Sequence, residues 1–349
     1  MSVTMEQIAK IAKVSLKTVS RVVNGEGNVS HATQEKVIKV IRDLEFVPNS
    51  AARRLSRGKA MAIGLVLGWS IDTNYSSALI HNVSSVCNQY NYGLSLFPSD
   101  ENVVNQVMHA CLGKQVDGIL LDTIPGLNKK LKKQLDTIAI PYVVIHPSCM
   151  NGPCDSSYVT IDDYESAKMA VSYLVELGHR SIGCICEITN FSQERDRLNG
   201  YRDALANAGI SFRKSLVSYN QFGGMQGGFT GASQLVAEND DLSAIFCLND
   251  DMALGAMNAI WHLDRKVPDD ISVIGFDDLR YASMVIPPLT TIRQPIDQIA
   301  KAAVMQIIKM VDDPTSERIT AVMPTQLIIR ETCKPYSSNR RSSINSSSV

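Results

Sequence analysis

Three short stretches of helical periodicity open the chain, and a different pattern follows them. Ile8, Ala9, Ile11 and Ala12 recur at helical spacing, and Thr4 followed by Gln7 has the capping-box form that starts a helix. Ser15 supplies a second cap, and Val19, Val22 and Val23 stripe a second helix that Asn24-Gly25 ends. A third helix is predicted over about 33–44, with Val37, Ile38, Val40, Ile41 and Leu44 turned toward the other two. Two short helices a few residues apart, with the small Ala9 where they approach, make a helix-turn-helix. From residue 61 short apolar runs alternate with amphipathic stretches. Strands are predicted over 62–67, 94–97, 116–121, 142–145, 182–186, 244–247, 271–276 and 327–329. Helices are predicted over 76–90, 127–137, 164–177, 195–208, 252–263 and 296–311. Such alternation predicts an α/β fold of parallel sheets with helices on both faces. The length suits two such sheets, with a ligand cleft at their strand C-termini.

Composition narrows the classes. The 349 residues are 45% hydrophobic and 20% charged, which is globular and suits about two domains. No apolar run reaches the ~18–20 residues that cross a bilayer, and the opening MSVTMEQIAK has no apolar core for secretion. A soluble cytoplasmic protein without membrane contact is the expectation. The eight Cys and six His show no zinc spacing, so most thiols read as small core hydrophobes and no metal or cofactor is expected. The net charge of −1 hides an asymmetry. Residues 1–60 hold 11 basic and 5 acidic side chains, a surplus of +6 against −7 for the remainder. A small basic head on an acidic body points to nucleic acid, although a count alone fits a solvated face as well.

In a helix-turn-helix the second helix enters the major groove with its N-terminal residues toward base edges. Leu16, Lys17 and Arg21 then form the readable face, with Thr18 and Ser20 placed for phosphates. Lys17 and Arg21 can donate to guanine, and Leu16 can meet a thymine methyl. The helical pattern by itself fits a protein-binding domain equally well. The next segment favours DNA: Pro48 breaks the chain, Asn49 can cap, and Ala51-Ala52-Arg53-Arg54-Leu55 is short, basic and helix-compatible. So short a helix is marginal alone and would form on DNA with a partner subunit.

The run Val14-Ser15-Leu16-Lys17-Thr18-Val19-Ser20-Arg21-Val22-Val23-Asn24, with Val47-Pro48-Asn49 and Ala52-Arg53-Arg54-Leu55, closely resembles the lactose-repressor (LacI/GalR) family. In the body, 176–183, 197–201, Asn249-Asp250, 275–278 and 287–292 stand as that family has them, so the resemblance covers about residues 3–332. It implies a DNA-binding head over 2–47, a hinge helix and linker over 48–60, and a two-subdomain core over 61–332 like a periplasmic sugar-binding protein. A Ser-rich tail over 333–349 is expected to be disordered. Its lack of Leu argues against a tetramerising heptad helix, so a homodimer on a pseudo-palindromic operator is implied. Thr4, Ser15 and Asn24 join the expected DNA contacts, with Asn49, Ala52, Arg53 and the wedge residue Leu55 from the hinge.

For a small polar, sugar-like effector the resemblance implies Arg197 and Asp277 as a clamp and Asn249 as a third contact. Arg197 is expected to open a helix, and an interdomain salt bridge is the competing account of the pair. Phe222 and Trp69 are aromatic candidates for stacking on the ligand, with core packing equally able to explain them. Asp122 and His146 end their strands toward the cleft. The glycines of 223–231 lack the G-x-G-x-x-G order and read as close packing at a helix start. The Asp pairs 162/163, 250/251 and 277/278 lack the His or Cys a transition metal needs. The function expected is ligand-gated repression. A sugar- or nucleotide-processing enzyme with a DNA-binding-like head is the alternative, and no catalytic motif supports it.

Overall fold

A computed structural model describes residues 3–24, 29–44, 46, 59–68, 70–71, 73–98, 100–122, 127–147, 156–187, 192–221 and 223–337. The chain divides into two compact units, Met1–Ala60 and Met61–Val349.

The first unit holds α1 (Met5–Ala12), α2 (Leu16–Asn24) and α3 (His31–Asp43). Both halves of the capping box form, Gln7 N–H to Thr4 Oγ1 and Thr4 N–H to Gln7 Oε1. Ile8, Ala9, Ala12, Val19 and Val37 are buried together, and Val22, Val23, Val40, Ile41 and Leu44 close over them. Ile11, expected on this face, is instead 54% exposed. At 100° per residue it lies roughly 100° off the centre of the 8–9–12 stripe. Lys13, at φ 52°, makes the left-handed turn that ends α1 and frees the chain for Ser15 to cap α2.

The second unit is built from twelve strands among the described residues. They are β1 (Ala62–Val66), β2 (Gly93–Phe97), β3 (Gly118–Asp122), β4 (Tyr142–Ile145), β5 (Ser157–Ile161), β6 (Ile182–Glu187), β7 (Val217–Asn220), β8 (Ala244–Cys247), β9 (Ser272–Asp277), β10 (Thr290–Arg293), β11 (Thr320–Met323) and β12 (Gln326–Ile328). One sheet has the order β11-β5-β4-β3-β1-β2, and its pairs are parallel. The other runs β12-β10-β9-β8-β6-β7, parallel except for the edge strand β12. The helices are α4 (Asn74–Gln89), α5 (Val103–Leu112), α6 (Leu127–Thr137), α7 (Asp163–Glu176), α8 (Ser192–Asn207), α9 (Gly224–Glu238), α10 (Asp250–His262) and α11 (Ile296–Asp312).

Three connections pass between the two sheets: β5 to α7, β10 to α11, and β11 to β12. The core therefore has two subdomains joined by three crossings. The sequence pattern does not predict β5, β7, β10, β11 or α5, and it marks only the start of α9, at the close-packing glycines of 223–231. Thr290 and Thr291 of β10 are polar yet fully buried, and β11 is a short edge strand. The four glycines in α9 disfavour a helix by propensity, and tertiary packing overrides that. A Cβ on Gly228 would overlap the Met252 carbonyl oxygen, and one on Gly255 would overlap that of Met225. The glycines thus let the backbones of α9 and α10 touch. Cys87, Cys111, Cys184, Cys186 and Cys247 are buried without disulfides, as core thiols should be.

One boundary is corrected. Residues 333–337, expected in the disordered tail, are tied to the second sheet's subdomain. Lys334 N–H donates to Ser272 Oγ, Tyr336 N–H donates to the Leu177 carbonyl, and the Lys334 carbonyl meets His179 Nε2. Residues 338–349 lie outside the described residues, as do residues 48–58 of the predicted hinge helix and linker over 48–60.

Candidate functional site

On the head, the valine stripe of α2 faces inward, so the opposite face of the helix is free. Leu16 is 48% exposed, Lys17 is exposed, and Thr18, Ser20 and Arg21 are half-buried. Ser15 Oγ accepts the Thr18 N–H at 3.1 Å and lies 2.8 Å from Thr18 Oγ1, so these two hydroxyls brace the helix start. Thr4, an expected DNA contact, spends its hydroxyl on the α1 cap. No acidic residue stands in the first turn of α2. The helix therefore offers two cations and one exposed apolar side chain on a rigid, polar face, a pattern suited to groove edges and phosphates. Asn24 ends α2, while Asn49, Ala52, Arg53 and Leu55 fall outside the described residues.

In the core, a cavity of ≈ 530 Å³ lies between the two subdomains at the C-terminal ends of the strands. Asp122, His146, Arg197, Asn249 and Asp277, named as effector candidates from the sequence, all line it. Trp69 and Phe222 lie outside the described residues.

Arg197 stands in the second turn of α8 rather than opening it, because the helix starts at Ser192. Its Nε meets Asp163 Oδ1 at 2.8 Å, its Nη1 donates to the Leu248 carbonyl at 2.5 Å, and its guanidinium stacks 3.6 Å above the Phe276 ring. Asp277 is farther away, at 3.9 Å. Arg197 thus belongs to a buried structural pair with Asp163 as well as to the cavity. Asp277 accepts Gln294 Nε2 at 2.6 Å and has φ 119°, a left-handed strand end that aims its carboxylate across the cavity. Burial pushes its pKa up to about 7, with Arg197 and the Gln294 hydrogen bond pulling the other way.

His146 is buried, with Nε2 on Tyr75 Oη at 2.9 Å and Nδ1 on Thr160 Oγ1 at 3.3 Å. Desolvation lowers its pKa to about 4, so it is a neutral polar wall near pH 7. Asp122 Oδ2 accepts the Gly68 N–H at 3.2 Å. Asn249 caps α10 by accepting the Met252 N–H at 2.7 Å, which leaves its amide nitrogen for a ligand.

Each Asp pair divides its labour. Asp162 caps α7 while Asp163 holds Arg197. Asp250 is buried on the Leu279 N–H and the Thr291 hydroxyl, while Asp251 reaches the cavity and accepts from Asn74 and Tyr281. Asp278 is held by Arg293 and Arg330 at 2.6 Å each, leaving Asp277 to the cavity. Among the described residues no metal-ligating cluster forms.

Sequence reasoning missed Tyr75, Glu187, Gln193, Asp251 and Gln294 in this wall. Asn74 Nδ2 to Asp251 Oδ1 at 2.7 Å and Gln193 Nε2 to the His146 carbonyl at 3.0 Å span the two subdomains directly.

Comparison with known proteins fits both sites. Residues 4–49 match the lacI family of bacterial regulatory proteins, and residues 171–333 match a periplasmic binding protein-like domain. The regulator CelR of Thermobifida fusca is 30% identical over 94% of this chain and 97% of its own length. The chain belongs to the LacI family. The ribose operon repressor of Escherichia coli K12 is 32% identical over 90% of this LacI-family chain and 95% of its own. A lac repressor dimer, solved with operator and the anti-inducer ONPF, superposes at a TM-score of 0.77 with 27% identity, over 96% of this chain and 100% of that one. A solved complex of a transcriptional regulator CelR with cellobiose is 29% identical over 95% of this chain and 99% of that one, with a TM-score of 0.71.

Proposed function

We propose that this LacI-family regulator is a dimeric, sequence-specific transcriptional repressor of the cytoplasm, controlled by a small polar effector bound between its core subdomains. The observation that carries the reading is one chain with two sites. A helix-turn-helix carries exposed Leu16 and Lys17 and half-buried Arg21 on its second helix, and a separate core holds a cavity between two sheets that polar side chains line. Relatives named as repressors, and solved ones holding operator, anti-inducer or cellobiose, support the same division of labour. An enzyme gains no support from the cavity, whose neutral His146 and engaged Arg197 offer no nucleophile–base pair.

In the mechanism, two second helices read the half-sites of a pseudo-palindrome while hinge residues, Leu55 among them, act at its centre. Effector contacts with Asp277, Asn249 and Arg197 bear on the crossings between subdomains. Asp163 follows the β5 crossing and Gln294 stands in the β10 crossing. A ligand that pulls on Arg197 or Asp277 therefore loads the segments about which the subdomains turn. Operator affinity follows as a coupling between two sites.

Binding of random duplexes by the full chain, with sequencing of the bound fraction, tests the head. A panel of sugars and nucleosides added to the selected duplex tests the cavity. Recovery of one inverted repeat, with retention altered by a panel member, is the expected result.

A further inference from the structure

The cavity's lining names a ligand chemistry, given the reading of that cavity as the effector site. Asp122, Glu187, Glu194, Asp251 and Asp277 line it against a single described cation, Arg197. That cation already faces Asp163 at 2.8 Å, and His146 is neutral. The N-termini of α4, α8, α9 and α10 open on the cavity, and at about half a positive charge each they offset about two of these acidic groups, which leaves the lining net acidic even with Asp277 partly protonated near pH 7. A phosphate or carboxylate would enter a field of its own sign.

Two acceptors are unmet among the described residues. Gln294 is 5% exposed; its Nε2 donates to Asp277, yet its Oε1 has no donor among the described residues. Glu187 ends β6, and no described residue gives it a hydrogen bond or ion pair; its pKa is raised by desolvation alone. Its carboxylate lies against Gly223, where an added Cβ would overlap it. Both groups call for N–H or O–H donors from the ligand, and a half-buried carboxylate with no partner among the described residues calls for a positive one.

We propose that the effector is a cationic, hydroxyl-bearing small molecule, an amino sugar or comparable amine-bearing polyol, whose ammonium is held by Glu187. Its hydroxyls meet Asp277, Asn249 and Gln294. A plain hexose satisfies the hydroxyl partners and leaves Glu187 without its counter-charge.

The test is calorimetric titration of the full-length protein with glucosamine, galactosamine and mannosamine, each beside its parent hexose, its N-acetyl derivative and the corresponding hexose 6-phosphate. The proposal expects the best-fitting amine to bind about tenfold tighter than its parent hexose, with N-acetylation abolishing the preference. Glu187→Gln should bring that ratio toward one. Gly223→Ala, which displaces the same carboxylate without removing it, should lower the ratio as well. A hexose or phosphate that binds as tightly as the amine overturns the proposal, as does a preference that survives Glu187→Gln. In those cases the effector-site reading stands. Silence across the whole panel counts against both.

Discussion

At Arg197 two roles meet in one side chain. Its pair with Asp163 is buried on both sides, so Arg197→Ala strands a carboxylate that is only 7% exposed. Breaking such a pair costs about 3–5 kcal/mol. Denaturant unfolding of Arg197→Ala should show that loss together with loss of effector response. Asp277→Asn differs, since an amide oxygen can still accept from Gln294. Stability should hold within about 1 kcal/mol while effector affinity falls, as paired unfolding and titration experiments will show. The cavity also sets a pH signature. Asp277 titrates near 7 instead of its ordinary 3.8, so its contribution to stability is full below about pH 4 and lost as pH rises through 7. His146 titrates near 4 instead of 6.5, so its contribution is present above 6.5 and lost as pH falls through 4. The two trends oppose. Asp277→Asn removes the first, so its melting temperature should fall more steeply from pH 6.5 to 4.5 than that of the parent chain.

Among the elements, the head was the most legible part. Its helices announce themselves by caps at Thr4 and Ser15 and by a valine stripe, all local in sequence. Asp122, His146, Asn249 and Asp277 were legible for a related reason, because each stands at or beside a strand end. What escaped were residues whose role arises from three-dimensional pairing. Asp163 reads as a helix-start acid until Arg197, 34 residues on, is seen against it. Gln294 and Glu187 carry no signal of their own, and β10 hides behind buried threonines. Glycine-rich α9 defied propensity because α10 packs onto its backbone, so Gly228→Ala should destabilise the core by about 1–3 kcal/mol, measurable by thermal unfolding. On α2, exchanging Leu16-Lys17 for another residue pair should leave the head folded, given their exposure, and change the preferred half-site by ~1–3 kcal/mol per misread base pair. Binding-site selection with both proteins checks this.

In the whole molecule, a basic head and an acidic core are joined through linkage rather than through shared chemistry. The head's charge surplus of +6 makes operator binding steeply dependent on salt, whereas effector binding in the enclosed cavity should vary far less. Everything proposed for the head requires that the chain read a specific, two-fold symmetric DNA sequence through α2. Sequencing the duplexes that the full-length protein retains from a random pool at moderate salt tests it most directly. One inverted repeat should be enriched, with half-site bases that change when Leu16 and Lys17 are exchanged. Retention without sequence enrichment, or the same repeat returned by both proteins, would contradict it.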